Sequence, residues 1–365
     1  MLSGASARAA VGLSGDRGPQ TGSRSVRPST PADAAAIAAL FAQAGLRPHT
    51  EPQHLDWKYW RRRTDWPGPR SFVLTEGSEL IAHAAIVPGA WNCGGHRATV
   101  LHLIDWAARG DVGGAGVMLM KAIAREAGAL IAIGGSADTL GILPYLGFHA
   151  AGEVTGYVRT LRPLRLFDGA GRAPWRAPPR FTRGVAGALA APAPAPGEFR
   201  ARPIGAGDLE EIGAVLPLCG RGITVLERSA GLFAHALACP IVPMRLYLLE
   251  QAGRVRGYFL LASVVAQVRI ADCWVDSDDP ADWRSLIGCA VAEARLDPQA
   301  AEIVGWASDP WHEGAFRACG FLARTATPVQ IRLPRGSAIP VGTLRVQMLD
   351  SDAAYLHEGR NEFWT

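Results

Sequence analysis

An internal repeat constrains this chain more than any other feature. RPSTPADAAAIAAL, from Arg27, returns as RPIGAGDLEEIGAVL from Arg202, an offset of 175 residues. FVLTEGSELIAHAAI aligns with LYLLEQAGRVRGYFLL, Ile81 over Val255, at 174. YLGF aligns with ACGF, Gly147 over Gly320, at 173. Three landmarks within two residues of one spacing describe a duplicated unit of about 150 residues, an ordinary domain size. The chain has 365 residues, 48% of them hydrophobic, enough for two such cores.

Composition breaks set the expected boundaries. Residues 1–25 are rich in Ala, Gly, Ser and Arg without a continuous apolar run, which predicts a disordered leader and no signal peptide. The first unit is expected over 26–165 and the second over 199–365. Between them, 166–198 holds DGAGRAPWRAPPRFTRGVAGALAAPAPAPGE and reads as a Pro/Ala-rich linker, part of which (181–190) can fold onto a domain.

Each unit repeats one order of elements. A helix opens the first, with Thr30 to Asp33 as its cap and Ile37, Leu40 and Phe41 at helical spacing. The segment HLDWKYWRRRTDW (54–66) predicts an amphipathic helix that buries Leu55, Tyr59 and its tryptophans and leaves Arg61 to Arg63 in water. A hairpin follows, turning at Glu76-Gly77-Ser78. Next come a strand (VLHLIDWA), a glycine-rich loop, a helix, a strand (ALIAIGG), a short helix and a last strand. The fold class is α+β (mixed α/β), a mostly antiparallel sheet flanked by helices in each copy.

Chemistry concentrates in the loop. ARGDVGGAGVML (108–119) puts glycines at 110, 113, 114 and 116 between a strand and a helix. Glycine lets backbone N–H groups turn toward a ligand, and a helix N-terminus favours an anion through its unpaired N–H groups and dipole. No Gly-Lys-Ser/Thr follows, so this is not a P-loop. Leu119 occupies the third glycine position of a dinucleotide fingerprint, and the preceding hairpin does not fit a βαβ start.

The element order, Gly114-Ala115-Gly116 and the Tyr145-Leu146-Gly147-Phe148 ending resemble the GNAT acetyltransferase superfamily, from Val26 to Leu161 and more loosely in the second copy. IGGSADTLGILPYLGF, with DWKY at 56–59, is similar to the GNAT-like proteins of polysaccharide and envelope gene clusters. The resemblance implies an acyl-CoA, acetyl-CoA above all, as co-substrate. Its pyrophosphate would lie on Val112, Gly113, Gly114, Ala115, Gly116 and Val117, and its pantetheine arm along Ile104, Asp105, Trp106 and Ala107. Asp111 stands where the family has Arg or Gln, with Arg109 two residues early. The family's tyrosine acid falls on Leu143 here and on Phe316 in the second copy, and Tyr145 is displaced by two.

The second copy has DSDDPAD (276–282) at the loop, whose carboxylates would repel a pyrophosphate. It is expected to shape the cleft or to pack as a pseudo-dimer partner. The aspartates lack the glycine and distal glutamate of a Ca²⁺ loop and read as a solvated acidic turn.

Acyl transfer to an amine needs a positioned thioester, a base and an acid. His102, Asp105 and Tyr145 are the candidate catalytic residues. His102 is also readable as a satisfied core histidine, and period-two alternation puts it on the face opposite Asp105. Cys93 reads as an inert thiol.

Six scattered cysteines without a CxxC pair suggest a reducing, cytoplasmic compartment and no metal site. A formal charge of +4 excludes nothing but gives no nucleic-acid signature, and no apolar run reaches membrane-spanning length. The expected activity is an acyl-CoA-dependent N-acyltransferase acting on an amine such as an amino sugar or envelope precursor. The alternatives are a two-copy aminoacyl transferase of the cell-wall type and a non-catalytic acyl-CoA-binding scaffold.

Overall fold

In the computed structural model the repeat becomes one continuous twelve-stranded sheet. The described residues are 23–46, 48–93, 96–167, 177–190, 196–217, 222–334, 336, 343–357 and 363–365. Leader residues 1–22, linker residues 168–176 and 191–195, and the Cys93 side chain lie outside them.

The first half runs β1 (Arg24–Pro28), α1 (Ala34–Gln43), α2 (Pro52–Leu55), β2 (Ser71–Glu76), β3 (Glu79–Cys93), β4 (His96–Ala108), α3 (Ala115–Ile123), β5 (Ala129–Ile133), α4 (Ala137–Ile142) and β6 (His149–Thr160). A π-helical turn, Asp56–Trp60, continues α2. α5 (Ala177–Ala190) lies between the halves, with Gly184 set close against Leu166 and Thr160. The second half runs β7 (Arg200–Ile204), β8 (Ile223–Val225), α6 (Ala230–Leu237), β9 (Met244–Gln251), β10 (Arg254–Val264), β11 (Gln267–Val275), α7 (Pro280–Ala294), β12 (Glu302–Ala307), α8 (Pro310–Ala318), β13 (Leu322–Arg332) and β14 (Thr343–Arg345).

Local chemistry accounts for the opening helix. The Asp33 carboxylate accepts the Thr30 N–H at 2.7 Å and the Arg27 guanidinium at 2.8 Å, tying the strand to the helix start. Ile37, Leu40 and Phe41 then bury one stripe against β2, β3 and β4.

The sheet order is β1-β2-β3-β4-β5-β13-β6-β12-β11-β10-β9-β7. Read from either end, it gives the same sequence of equivalent elements. Its parallel pairs are β4–β5 and β11–β12, at the same place in each half. At the centre the halves exchange their last strands. β13 sits between β5 and β6, and β6 sits between β13 and β12. Leu74, Leu101, Leu119 and Leu130 form the core under α3, and Ile270, Leu286, Ile287 and Phe316 the core under α7 and α8.

The chain end returns across the first half. β14 pairs in parallel with β8, and two 3-10 turns follow, Met348–Asp350 and Asp352–Ala354. A buried quartet of balanced charge fixes this return. Arg228 reaches Asp272 at 2.7 Å and Asp350 at 2.6 Å, and Arg345 reaches Asp272 at 3.1 Å. Opposite charges this deep stay ionised because each has its partner.

The exchange predicts that neither half folds alone, because β6 has both its neighbours, β12 and β13, in the second half. Residues 23–165 alone should show no cooperative thermal transition in near-UV circular dichroism. Mixing with 196–365 should restore it. A cooperative transition in either isolated half would show the halves to be independent.

Candidate functional site

The site is built where β4 and β5 part. Their parallel ladder covers Val100↔Ala129, Leu101↔Leu130 and His102↔Ile131 and then ends. From there β5 stays with β13, Ala132 opposite Gln330 and Ile133 opposite Val329. The gap between the diverging strands opens into a cavity of about 650 Å³. Leu103, Ile104, Asp105 and Trp106 form one wall, and Ala132 to Ser136 the other. Leu46, Pro48, Met120, Thr139 and Leu143 add to the lining from the first half, and the second half contributes Arg269 from β11 and Asp352, Leu356, His357 and Trp364 from the returning chain end.

A bulge turns Asp105 into this site. Ile104 pairs with Ala85 and Ala107 with His83, so Asp105 and Trp106 together face the single residue Ala84. Asp105 takes φ +49°, which a non-glycine residue rarely adopts. The bulge resets the alternation. The Asp105 carboxylate meets Tyr59, which packs in one core with Ile104 and Ala107, so Asp105 shares a face with His102. The opposite-face expectation fails because it counts residues without the extra one.

The carboxylate is buried and answered twice. Tyr59 donates its hydroxyl at 2.7 Å, and the Lys58 ammonium stands at 2.6 Å. Lys58 also reaches Asp352 at 3.4 Å, so it links both carboxylates of the cavity. Burial alone would raise the Asp105 pKa, but the ammonium outweighs it and holds the acid below its ordinary range. Burial would lower the Lys58 pKa, but Asp105, Tyr355 and Asp352 push it up. Burial and Asp105 raise the Tyr59 phenol well above its usual value.

The other sequence candidates are distributed around this point. His102 is buried; its Nδ1 lies 3.0 Å from the Asp350 carbonyl, and burial lowers its pKa. It anchors the chain end and does not line the cavity. Tyr145 is 88% exposed on the 3-10 turn Leu143–Leu146, whereas Leu143 lines the cavity. Ile104 and Trp106 line it, and Ala107 is buried in the core below α1.

The glycine loop lies alongside. Gly114 is the N-cap of α3 with φ +76°, and no side chain caps the helix. Side chains at Gly113 and Gly114 would meet nothing within 4 Å, so the turn is open. Gly116 differs: a Cβ there would approach the Trp106 indole nitrogen to 3.0 Å, and that nitrogen donates to the Gly116 carbonyl at 3.2 Å. Ala115 is buried, Val112 packs against the α3 core, and Val117 is half-buried. The cavity reaches α3 itself at Met120. Arg109 is held by Glu79 and by Asp111 at 2.9 Å.

The equivalent places in the second half are filled. Asp279 caps α7 and accepts the Ala281 N–H at 2.8 Å, occupying the end that α3 leaves uncapped. The Cys273 carbonyl, past the end of the β11–β12 ladder, accepts from His312 at 3.3 Å and from Arg345. Phe316 packs onto Gly305.

No family model matches the sequence, and no curated protein does. Solved structures do. A GCN5-related N-acetyltransferase from Anabaena variabilis superposes with TM-score 0.54 at 12% identity, over 85% of this chain and 73% of that one. A probable N-acyltransferase from Enterococcus faecalis gives 0.53 at 10%, over 85% and 72%. Saccharomyces cerevisiae N-myristoyltransferase, with bound myristoyl-CoA and inhibitors, gives 0.59 at 12%, over 96% and 89%. The chain has the GNAT fold. Likeness at this identity establishes architecture, and the chemistry rests on the site.

Lys58, Asp352, Arg269 and His357 do not appear among the sequence candidates. Lys58 has one local signal, a charge inside an aromatic run; the other three belong to the second half. Arg63 is buried against Asp65 at 2.6 Å, not in water, whereas Arg61 and Arg62 are exposed. Among the described residues no helix is long and apolar enough to cross a membrane, and no group of His, Cys, Asp and Glu could hold a metal.

Lys58→Met leaves the Asp105 carboxylate buried without its cation and should cost about 3–5 kcal/mol in urea unfolding. Asp105 has a depressed folded pKa, so its contribution is present above the unfolded carboxylate pKa, about 3.9, and is lost as pH falls through the lower folded value. Asp105→Asn should therefore flatten the stability curve on the acid side only. A parallel shift at all pH values would show that the pair is not the source.

Proposed function

We propose that the first half binds an acyl-CoA in the cavity between β4 and β5 and transfers the acyl group to an amine. The supporting observation is the contrast between the halves. One parallel ladder ends in an open cavity beside an uncapped helix N-terminus, and the other ends in packed side chains beside a capped one. In this reading Val112 to Val117 receive the pyrophosphate, and Ile104 to Ala107 lie along the pantetheine arm. Leu103, Met120 and Leu143 give the acyl end an apolar wall.

Asp105 and Asp352 attract the ammonium group of the acceptor. Asp105 is held too acidic by Lys58 to serve as the base. His357 lines the cavity, and burial, His49 and Arg269 lower its pKa, so its imidazole is neutral near pH 7 and takes one proton from the ammonium; the new C–N bond then replaces the thioester C–S bond, and the departing thiolate takes up the second proton the nitrogen loses. His102 positions the chain end that carries Asp352. Ser136 and Thr139 offer hydroxyl hydrogen bonds along the opposite wall, while Tyr145 points away from it. The acceptor class we favour is an amino sugar or envelope precursor, and acetyl-CoA the donor. A non-catalytic acyl-CoA-binding role is the second reading, favoured by Leu143 at the tyrosine position.

Calorimetric titration of acetyl-CoA and myristoyl-CoA tests the binding. Wild type should bind at least one of them, and Gly114→Glu, which places a carboxylate in the open turn, should lose it. No binding to wild type overturns the reading. With an accepted amine, His357→Gln should lower kcat by about 100-fold or more. The wild-type rate should fall with pH below about 6.5, the ordinary histidine value, since the base must be unprotonated and its pKa is lowered. Binding without thioester cleavage across an amine panel would favour the non-catalytic role.

A further inference from the structure

A second concavity, of about 440 Å³, lies against the first half, lined by Arg61, Arg62, Arg63 and Arg70 with Trp60 and Trp66. No carboxylate lines it among the described residues. Two of its arginines have acidic partners nearby: Arg61 meets Asp56 at 3.2 Å and Arg63 meets Asp65 at 2.6 Å. The other two make no ion pair among the described residues, although Asp65 and Asp56 act on Arg70 from farther away. Arg62 is exposed. Arg70 is buried and donates to the Trp57 carbonyl at 3.0 Å, to the Arg61 carbonyl, and to Nε2 of His235 at 3.0 Å. His235 accepts that bond with a neutral ring, stacked on Trp57 at 4.6 Å. A guanidinium taken out of water with no carboxylate in direct contact is expensive to hold, burial lowers the Arg70 pKa despite the distant aspartates, and an anion in the cleft would supply the contact.

We propose that this cleft is a phosphoryl-binding site that anchors a phosphorylated amine acceptor, a role that rests on the acyl-transfer reading above. Forked guanidinium donors match phosphoryl oxygens better than any other side chain. Both indole N–H groups are already used, Trp60 on the Ser29 hydroxyl at 2.9 Å and Trp66 on the Pro69 carbonyl at 3.4 Å, so the indoles offer ring surface to the body of the ligand. Tyr59 joins the two concavities. Tyr59 borders the cleft from the buried core, and its hydroxyl donates at 2.7 Å to Asp105 on the cavity wall. The cleft thus lies on the other side of Tyr59 from the carboxylate that attracts the ammonium in this reading.

The test is calorimetry with inorganic pyrophosphate on Gly114→Glu, in which the glycine turn is blocked. One saturable site is expected, weakened about tenfold or more by adding Arg62→Gln, a change at an exposed side chain. Acyl-CoA affinity, measured in parallel on the Arg62→Gln single variant, should not change. Absence of saturable binding, or equal affinity with and without Arg62, overturns the site. Displacement of pyrophosphate by acyl-CoA in the wild-type protein but not in Gly114→Glu supports two separate sites, whereas displacement in both overturns the proposal. Failure of wild type to bind any acyl-CoA while pyrophosphate still binds overturns the acceptor role and the earlier reading, and leaves a phosphoryl site.

Discussion

The ladder between β5 and β13 is the constraint from which the rest of the site follows. A strand has two edges, and β5 gives one to β4 and the other to β13. Its partner on the first edge runs out at Ile131, while on the second edge it remains bonded through Ile133. The strand follows the partner that continues. β4, released on that side, bulges at Asp105 and brings two successive residues to the space left behind. The cavity thus opens between two strands that follow different partners, one of them encoded in the other half of the chain, and the bulge in the β3–β4 ladder turns the carboxylate into it.

Duplication shows how little is needed to open or close such a space. Both halves keep the parallel ladder, the helix that follows it and a bulge in the strand before that helix, at Asp105 in β4 and near Ala271 in β11. The differences are side chains. Four glycines in one loop leave a helix start bare; an aspartate in the other caps it. A lysine and a tyrosine answer the first aspartate from one side, whereas two arginines and Tyr258 enclose Asp272 completely. The second half has become a wall for the first.

What was legible in the sequence was local. The hairpin, the glycine turn, the helix caps and the repeat all depend on residues close together or on comparing two stretches of text, and the GNAT fold followed from their order. The bulge at Asp105 was not legible, because VLHLIDWA reads as unbroken alternation and the extra residue shows only against its partner strand. Lys58 is a lone charge inside an aromatic run; its burial is answered by Asp105 and Asp352, which no local pattern connects to it. Tyr145 was singled out by its nearness to Gly147, but the 3-10 turn that Gly147 terminates points the ring into solvent. The strand exchange was invisible for a different reason: either arrangement of the last strands satisfies the same apolar pattern.

Lys58 and Asp352 are separated by 294 positions in the chain. A pairing this remote forms only after almost all of the polypeptide has been synthesised. Until then the growing first half presents β5 with a bare edge and Lys58 with one of its two carboxylate partners missing. Bare edges are sites for wrong pairing, and distant contacts slow the approach to the native state. The repeat itself makes the hazard sharper, since the second half carries strands built to the same pattern as those of the first. The interlocked sheet thereby ties the cavity to a late event in folding, and a chain that stops short of its final segment has no partial version of the site to offer.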